Sequence, residues 1–132
     1  MKLAVKIAAL VAILFGALTL FSGGKALFGG PEARAAVGNA VPFVLWFNFF
    51  AGFAYILAGV GLLWAKRWAV RLSALIAAAT LLVFVAFGFH VWLGGAYETR
   101  TVGAMTLRSL VWLAIAAVSL RALGRAGDIR NA

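Results

Sequence analysis

Four long apolar runs, separated by short polar or glycine-rich breaks, take up most of the chain. They extend over about residues 3–22, 42–64, 72–92 and 102–120. Each holds about 20 residues, the length at which a helix rising about 1.5 Å per residue crosses the hydrocarbon core of a bilayer. The pattern predicts an all-α fold: an integral membrane four-helix bundle, up-down-up-down, forming a single domain over residues 1–132.

The breaks define the connections. Ser22 to Ala40 is rich in Gly and small residues, and Gly29, Gly30 and Pro31 read as helix breakers, so the longest loop is expected here, outside the membrane. Pro42 opens the second run, a position where its missing N–H costs nothing. Lys66, Arg67 and Arg71, interrupted by Trp68, form a tight basic connection that makes spans two and three antiparallel neighbours. Gly94 and Gly95, followed by Tyr97, Glu98, Thr99, Arg100 and Thr101, read as a polar hairpin. The first run follows Lys2 and Lys6, as in a signal peptide, but it is too long for a typical signal core and no A-x-A site follows closely. A retained first span is expected. Gly52 with Tyr55, Gly59 with Gly61, and Ser73, Ala74, Ala77 and Ala78 place small side chains at helical spacing, where helices can approach closely.

Composition agrees with lipid as the solvent: 66% of residues are hydrophobic and only 11% charged. Four spans leave no room for a second, soluble domain. The net charge of +9 would suggest nucleic acid in a soluble chain. Here the rule that places Lys and Arg in cytoplasmic loops explains it, and no nucleic-acid partner is expected. Lys2, Lys6, Lys66, Arg67, Arg71, Arg121, Arg125 and Arg130 fall on one side, and Lys25, Arg34, Arg100 and Arg108 on the other. That imbalance predicts both termini in the cytoplasm. Trp46 and Trp92 near the outer interface, with Trp64 and Trp68 near the inner one, fit aromatic belts. The absence of cysteine removes disulfides and thiol chemistry.

In such a bundle the loops after spans one and three share a side, and polar residues converge there. Asn48 lies about two turns into span two, His90 about one turn before the end of span three, and Arg108 about two turns into span four. Tyr97, Glu98 and Arg100 cap the same end, while the other half of the bundle offers little beyond Ser73, Thr80 and Ser119. An ionisable residue inside a span costs about 2.5–3.5 kcal/mol at the centre and marks a functional candidate. Arg108 is the leading case, the alternative being that it snorkels to the outer interface. As the sole histidine, His90 excludes bis-histidine haem ligation within the chain, leaving a single axial ligand, a proton relay or a quinone hydrogen bond against simple packing. Asn48, among aromatics, needs a partner, for which a neighbouring helix is the plainest source. Glu98 and Arg100 read as a solvated pair, unless Glu98 reaches Arg108. There is no pair of carboxylates within the spans, no Ser/His/Asp set, no metal-ligand cluster and no phosphate-binding glycine loop, so catalysis is poorly supported.

The segments Leu14-Phe15-Gly16, Phe21-Ser22-Gly23-Gly24-Lys25-Ala26-Leu27-Phe28 and Ala51-Gly52-Phe53-Ala54-Tyr55-Ile56-Leu57-Ala58-Gly59-Val60-Gly61-Leu62-Leu63 resemble the DoxX-like group of small four-helix bacterial membrane proteins. That group usually carries an arginine early in span one, where this chain has Lys6. The resemblance implies an accessory protein of the inner (plasma) membrane, sometimes tied to redox systems, and transfers no catalytic residue. The reading of the residues themselves favours a non-catalytic accessory or assembly subunit, packed against other membrane subunits or copies of itself and surrounded by lipid. The alternatives are a small-molecule, quinone or lipid site built from Asn48, His90, Tyr97, Glu98, Arg100 and Arg108, or a small homo-oligomeric transporter. A transporter of the small four-helix dimer class would need an acidic residue in span one, and none occurs there.

Overall fold

A computed structural model describes residues 3–123, in five helices: α1 (Leu3–Phe28), α2 (Pro31–Val37), α3 (Pro42–Leu63), α4 (Arg67–Trp92) and α5 (Thr99–Leu123). Lys2, Arg125 and Arg130, which entered the charge count, lie outside the described residues. Helices α1, α3, α4 and α5 are each long and apolar enough to cross a membrane. The protein is thus an all-α, multi-pass membrane bundle. Only 28–33% of each apolar window is buried inside it, so most of the apolar surface faces outward. Leu10, Leu14, Leu82, Phe89 and Leu110 are among the exposed side chains, suited to lipid.

The segment expected as the longest loop is largely helical. Span one continues beyond residue 22 to Phe28, since Gly, Ser and Ala in lipid-facing helices keep the backbone paired as well as larger residues do. Even Gly29 still donates to Lys25 O, at 2.9 Å. The break comes at Gly30, whose φ of 92° is open to glycine but strained for other residues. Pro31 then starts α2 at the position where its missing N–H is harmless. The basic connection also differs from expectation: Arg67, Trp68 and Arg71 belong to α4, and the turn is only residues 64–66. Span four likewise begins earlier, at Thr99.

The four long helices close into a ring in which α1 packs on α3, α3 on α4, α4 on α5 and α5 on α1. The α1–α3 contact is the most extensive, and α1 and α5 touch least. Glycine makes the former possible. A Cβ on Gly16 would lie 2.8 Å from Gly52 O, and one on Gly59 would lie 2.8 Å from Ala9 O, so the two backbones run in direct contact and antiparallel. The small residues expected to pack do so at Gly52, Gly59, Gly61, Ser73 and Ala77, which are buried, whereas Ala78 faces outward. Val5, Ala9, Ala12, Tyr55, Ala58, Leu62, Ala69 and Trp112 form the main core toward the 64–66 end. In this region Ser73, Thr80 and Ser119 are buried but return their hydroxyls to their own helices, at Ala69 O (2.8 Å), Ile76 O (2.7 Å) and Ala116 O (3.1 Å). They therefore need no partner across the bundle.

Candidate functional site

At the opposite end, the weak α1–α5 contact leaves a cavity of about 600 Å³ bounded by α1, α2, α3 and α5. No α4 residue lines it. Its wall is mostly apolar, including Ala26, Ala33, Ala36, Val41, Val44, Leu45 and Ala104. The polar lining comprises Thr19, Ser22, Lys25, Asn48, Glu98, Arg100, Thr101 and Arg108.

Arg108 stands nine residues after Thr99, about 14 Å along α5. Helical side chains lean toward their helix N-terminus, which for both α3 and α5 is the α2 end, so Tyr55 and Arg108 reach toward the cavity from below. Arg108 Nη1 donates to Thr19 Oγ1 at 3.1 Å and to Tyr55 Oη at 3.2 Å. The guanidinium carbon sits 5.3 Å from the Phe15 ring centroid and 5.9 Å from that of Tyr55. Two cation–π contacts of this kind contribute about 0.5–2 kcal/mol each, more where water is excluded. Arg108 is therefore turned inward and clamped, rather than snorkelling to an interface.

An aromatic floor supports the clamp. Phe15 stacks on Tyr55 at 5.7 Å, and Tyr55 contacts Trp112, one turn beyond Arg108, at 4.8 Å. Among the described residues the buried side-chain atoms left without a hydrogen bond are Asn48 Oδ1, Arg108 Nε and Trp112 Nε1. All three belong to this cavity or its floor. The Asn48 amide oxygen thus lacks the partner on a neighbouring helix that was expected for it. Seven residues separate Asn48 from Tyr55, two turns on one face of α3.

Glu98 and Arg100 fasten the roof. Their pair is present, with Arg100 Nη2 3.5 Å from Glu98 Oε1. Asn39 N donates to Glu98 Oε2 at 3.0 Å, while Arg100 Nη2 donates to Ala36 O (3.0 Å) and Val37 O (3.3 Å), the open carbonyls at the end of α2. The hairpin between α4 and α5 thereby clasps α2 over the cavity. Glu98 is committed to this clasp and does not pair with Arg108.

Of the six residues expected to converge, Asn48, Glu98, Arg100 and Arg108 line the cavity, and His90 and Tyr97 do not. The His90 imidazole bonds through Nε2 to Ala96 O at 2.8 Å and meets Phe43 edge-on. It fills the space that a Cβ on Gly95 would take and closes the end of α4. Tyr97 packs edge-on against Phe87. Sequence reasoning passed over Thr19, Phe15 and Trp112 and read Tyr55 only as packing. Two spacings carried a signal: Tyr55 lies two turns after Asn48, and Trp112 one turn after Arg108.

Compared with protein-family models, curated proteins and solved structures, the chain matches none.

Proposed function

We propose that this membrane protein binds a small amphiphile, of the lipid or quinone class, in the cavity beneath α2. The observation that carries this reading is Arg108, a charge inside an apolar span that faces the cavity with no carboxylate beside it among the described residues. A lone charge at such depth is costly, and the usual remedies are an ion pair or water. Among the described residues Arg108 is met only by two neutral hydroxyls and two ring faces. A ligand oxygen on the guanidinium supplies the missing acceptor, and a volume of about 600 Å³ with a largely apolar wall suits a molecule of drug-like size. His90, bound to its own hairpin, drops out of the ligand set.

The accessory-subunit reading rests on the apolar flanks of the helices, which lipid covers equally well; lipid packing does not account for a clamped arginine under a clasped roof. The charge imbalance supports an orientation with α2 and the cavity outside and the 64–66 turn in the cytoplasm, in an inner (plasma) membrane.

Replacing Ala104, an exposed cavity-wall residue, with Trp fills the cavity without removing a polar group. Native mass spectrometry of the wild-type chain is expected to show a bound small molecule that Ala104→Trp lacks. Identical spectra from the two proteins refute the reading.

A further inference from the structure

Building on the amphiphile-binding reading, we infer that the ligand's head is an anionic oxyacid, a carboxylate or a phosphate ester, seated on the free edge of Arg108 with its hydrocarbon tail along the alanine and valine wall. A guanidinium offers two edges to a two-oxygen acid. Both protein hydrogen bonds fall on Nη1, so Thr19 and Tyr55 fix the plane of the group from one corner. On the remaining edge neither Nε nor Nη2 has an acceptor among the described residues; Nε is closed off from solvent, so Nη2 is the donor that a ligand oxygen meets. A neutral carbonyl satisfies one N–H and leaves the charge uncompensated. An oxyacid accepts the same bond and neutralises the charge.

The charges of the wall point the same way. Glu98 and Arg100 pair with each other, while Lys25 and Arg108 line the cavity with no carboxylate paired to them among the described residues. The lining is thus net positive by two charges, which raises the local concentration of anions. Its apolar remainder excludes a bare inorganic anion as the natural occupant, because such an ion would leave most of the cavity unfilled.

The test is equilibrium binding to the purified full chain in a neutral detergent, with oleate, oleamide, lysophosphatidate, decylubiquinone and inorganic phosphate as probes. Oleate and lysophosphatidate are expected to bind saturably, and oleamide, the neutral isostere of oleate, at least ten-fold more weakly. Arg108→Gln is expected to weaken oleate ten-fold or more while changing oleamide less than two-fold, and Arg108→Lys, which keeps charge but not the fork, falls between. The comparison of oleate with oleamide needs no variant and stands even if Arg108→Gln fails to fold. If oleamide or decylubiquinone binds wild-type protein as tightly as oleate, the head is neutral and this inference falls while the cavity reading survives. Phosphate binding as tightly as lysophosphatidate makes the ligand a soluble anion and overturns the amphiphile. If no probe binds, both readings fall.

Discussion

Ala65 carries the least comfortable backbone in the described chain. It ends α3 at a φ of 53°, the only non-glycine residue with positive φ among those described, while Lys66 N bonds back to Gly61 O at 2.9 Å. This is the left-handed closure that glycine normally provides, and a side chain there costs about 1–2 kcal/mol. Ala65→Gly is expected to stabilise the protein by about 1 kcal/mol, seen as a higher midpoint in thermal unfolding in detergent. At the same scale, Arg108 was readable from the sequence because charges inside apolar runs are rare and costly. Its partners were not, since a threonine or tyrosine in a span usually bonds to its own helix or to a lipid interface, and nothing in its spacing says which arginine it holds. His90 follows the plainer of its two readings: its ring bonds to Ala96 O and fits against Gly95 at a helix end.

Between elements, the α1–α3 contact is where small changes matter most. A Cβ at Gly59 would stand 2.6 Å from Ile13 Cγ1 and 2.8 Å from the Ala9 carbonyl, and a backbone oxygen cannot swing aside. Gly59→Ala is expected to destabilise the bundle by about 1–3 kcal/mol. At Gly88 nothing lies within 4 Å, so Gly88→Ala gains helix propensity alone and is expected to be neutral or stabilising by up to about 1 kcal/mol. Denaturation in mixed micelles measures both. Gly16, Gly52 and Gly59 stand at this contact, and Gly52 and Gly59 were legible as packing positions because close approach of two helices leaves a small-residue signature. Helix ends were less visible. In water the glycine-rich stretch after residue 22 would fray, and soluble-protein rules ended span one there; in lipid an unpaired backbone is too costly, and the helix runs on to Phe28. The roof helix α2 is only seven residues long, too short to show a period, so only its opening Gly30-Pro31 pair announced it.

For the molecule as a whole, the four crossings follow from hydropathy alone, while the cavity depends on how unevenly the ring closes, a property of packing that no run of residues displays. The proposed orientation has a direct measurement. The chain has no native cysteine, so Ala35→Cys on α2 and Ala65→Cys at the opposite turn report separately. In intact cells a membrane-impermeant maleimide is expected to label Ala35→Cys only, and Ala65→Cys after permeabilisation; the reverse pattern would invert the topology. Below Arg108 the arrangement has a further consequence. Tyr55 and Trp112 plug the bundle, Ala58 and Leu62 are buried beneath them, and the hydroxyls of Ser73, Thr80 and Ser119 are spent on their own helices. Among the described residues this half offers no chain of polar stepping stones along which a proton or water could descend. The cavity has a floor in this conformation, so on the proposed function the protein holds its ligand rather than passing it through the bundle.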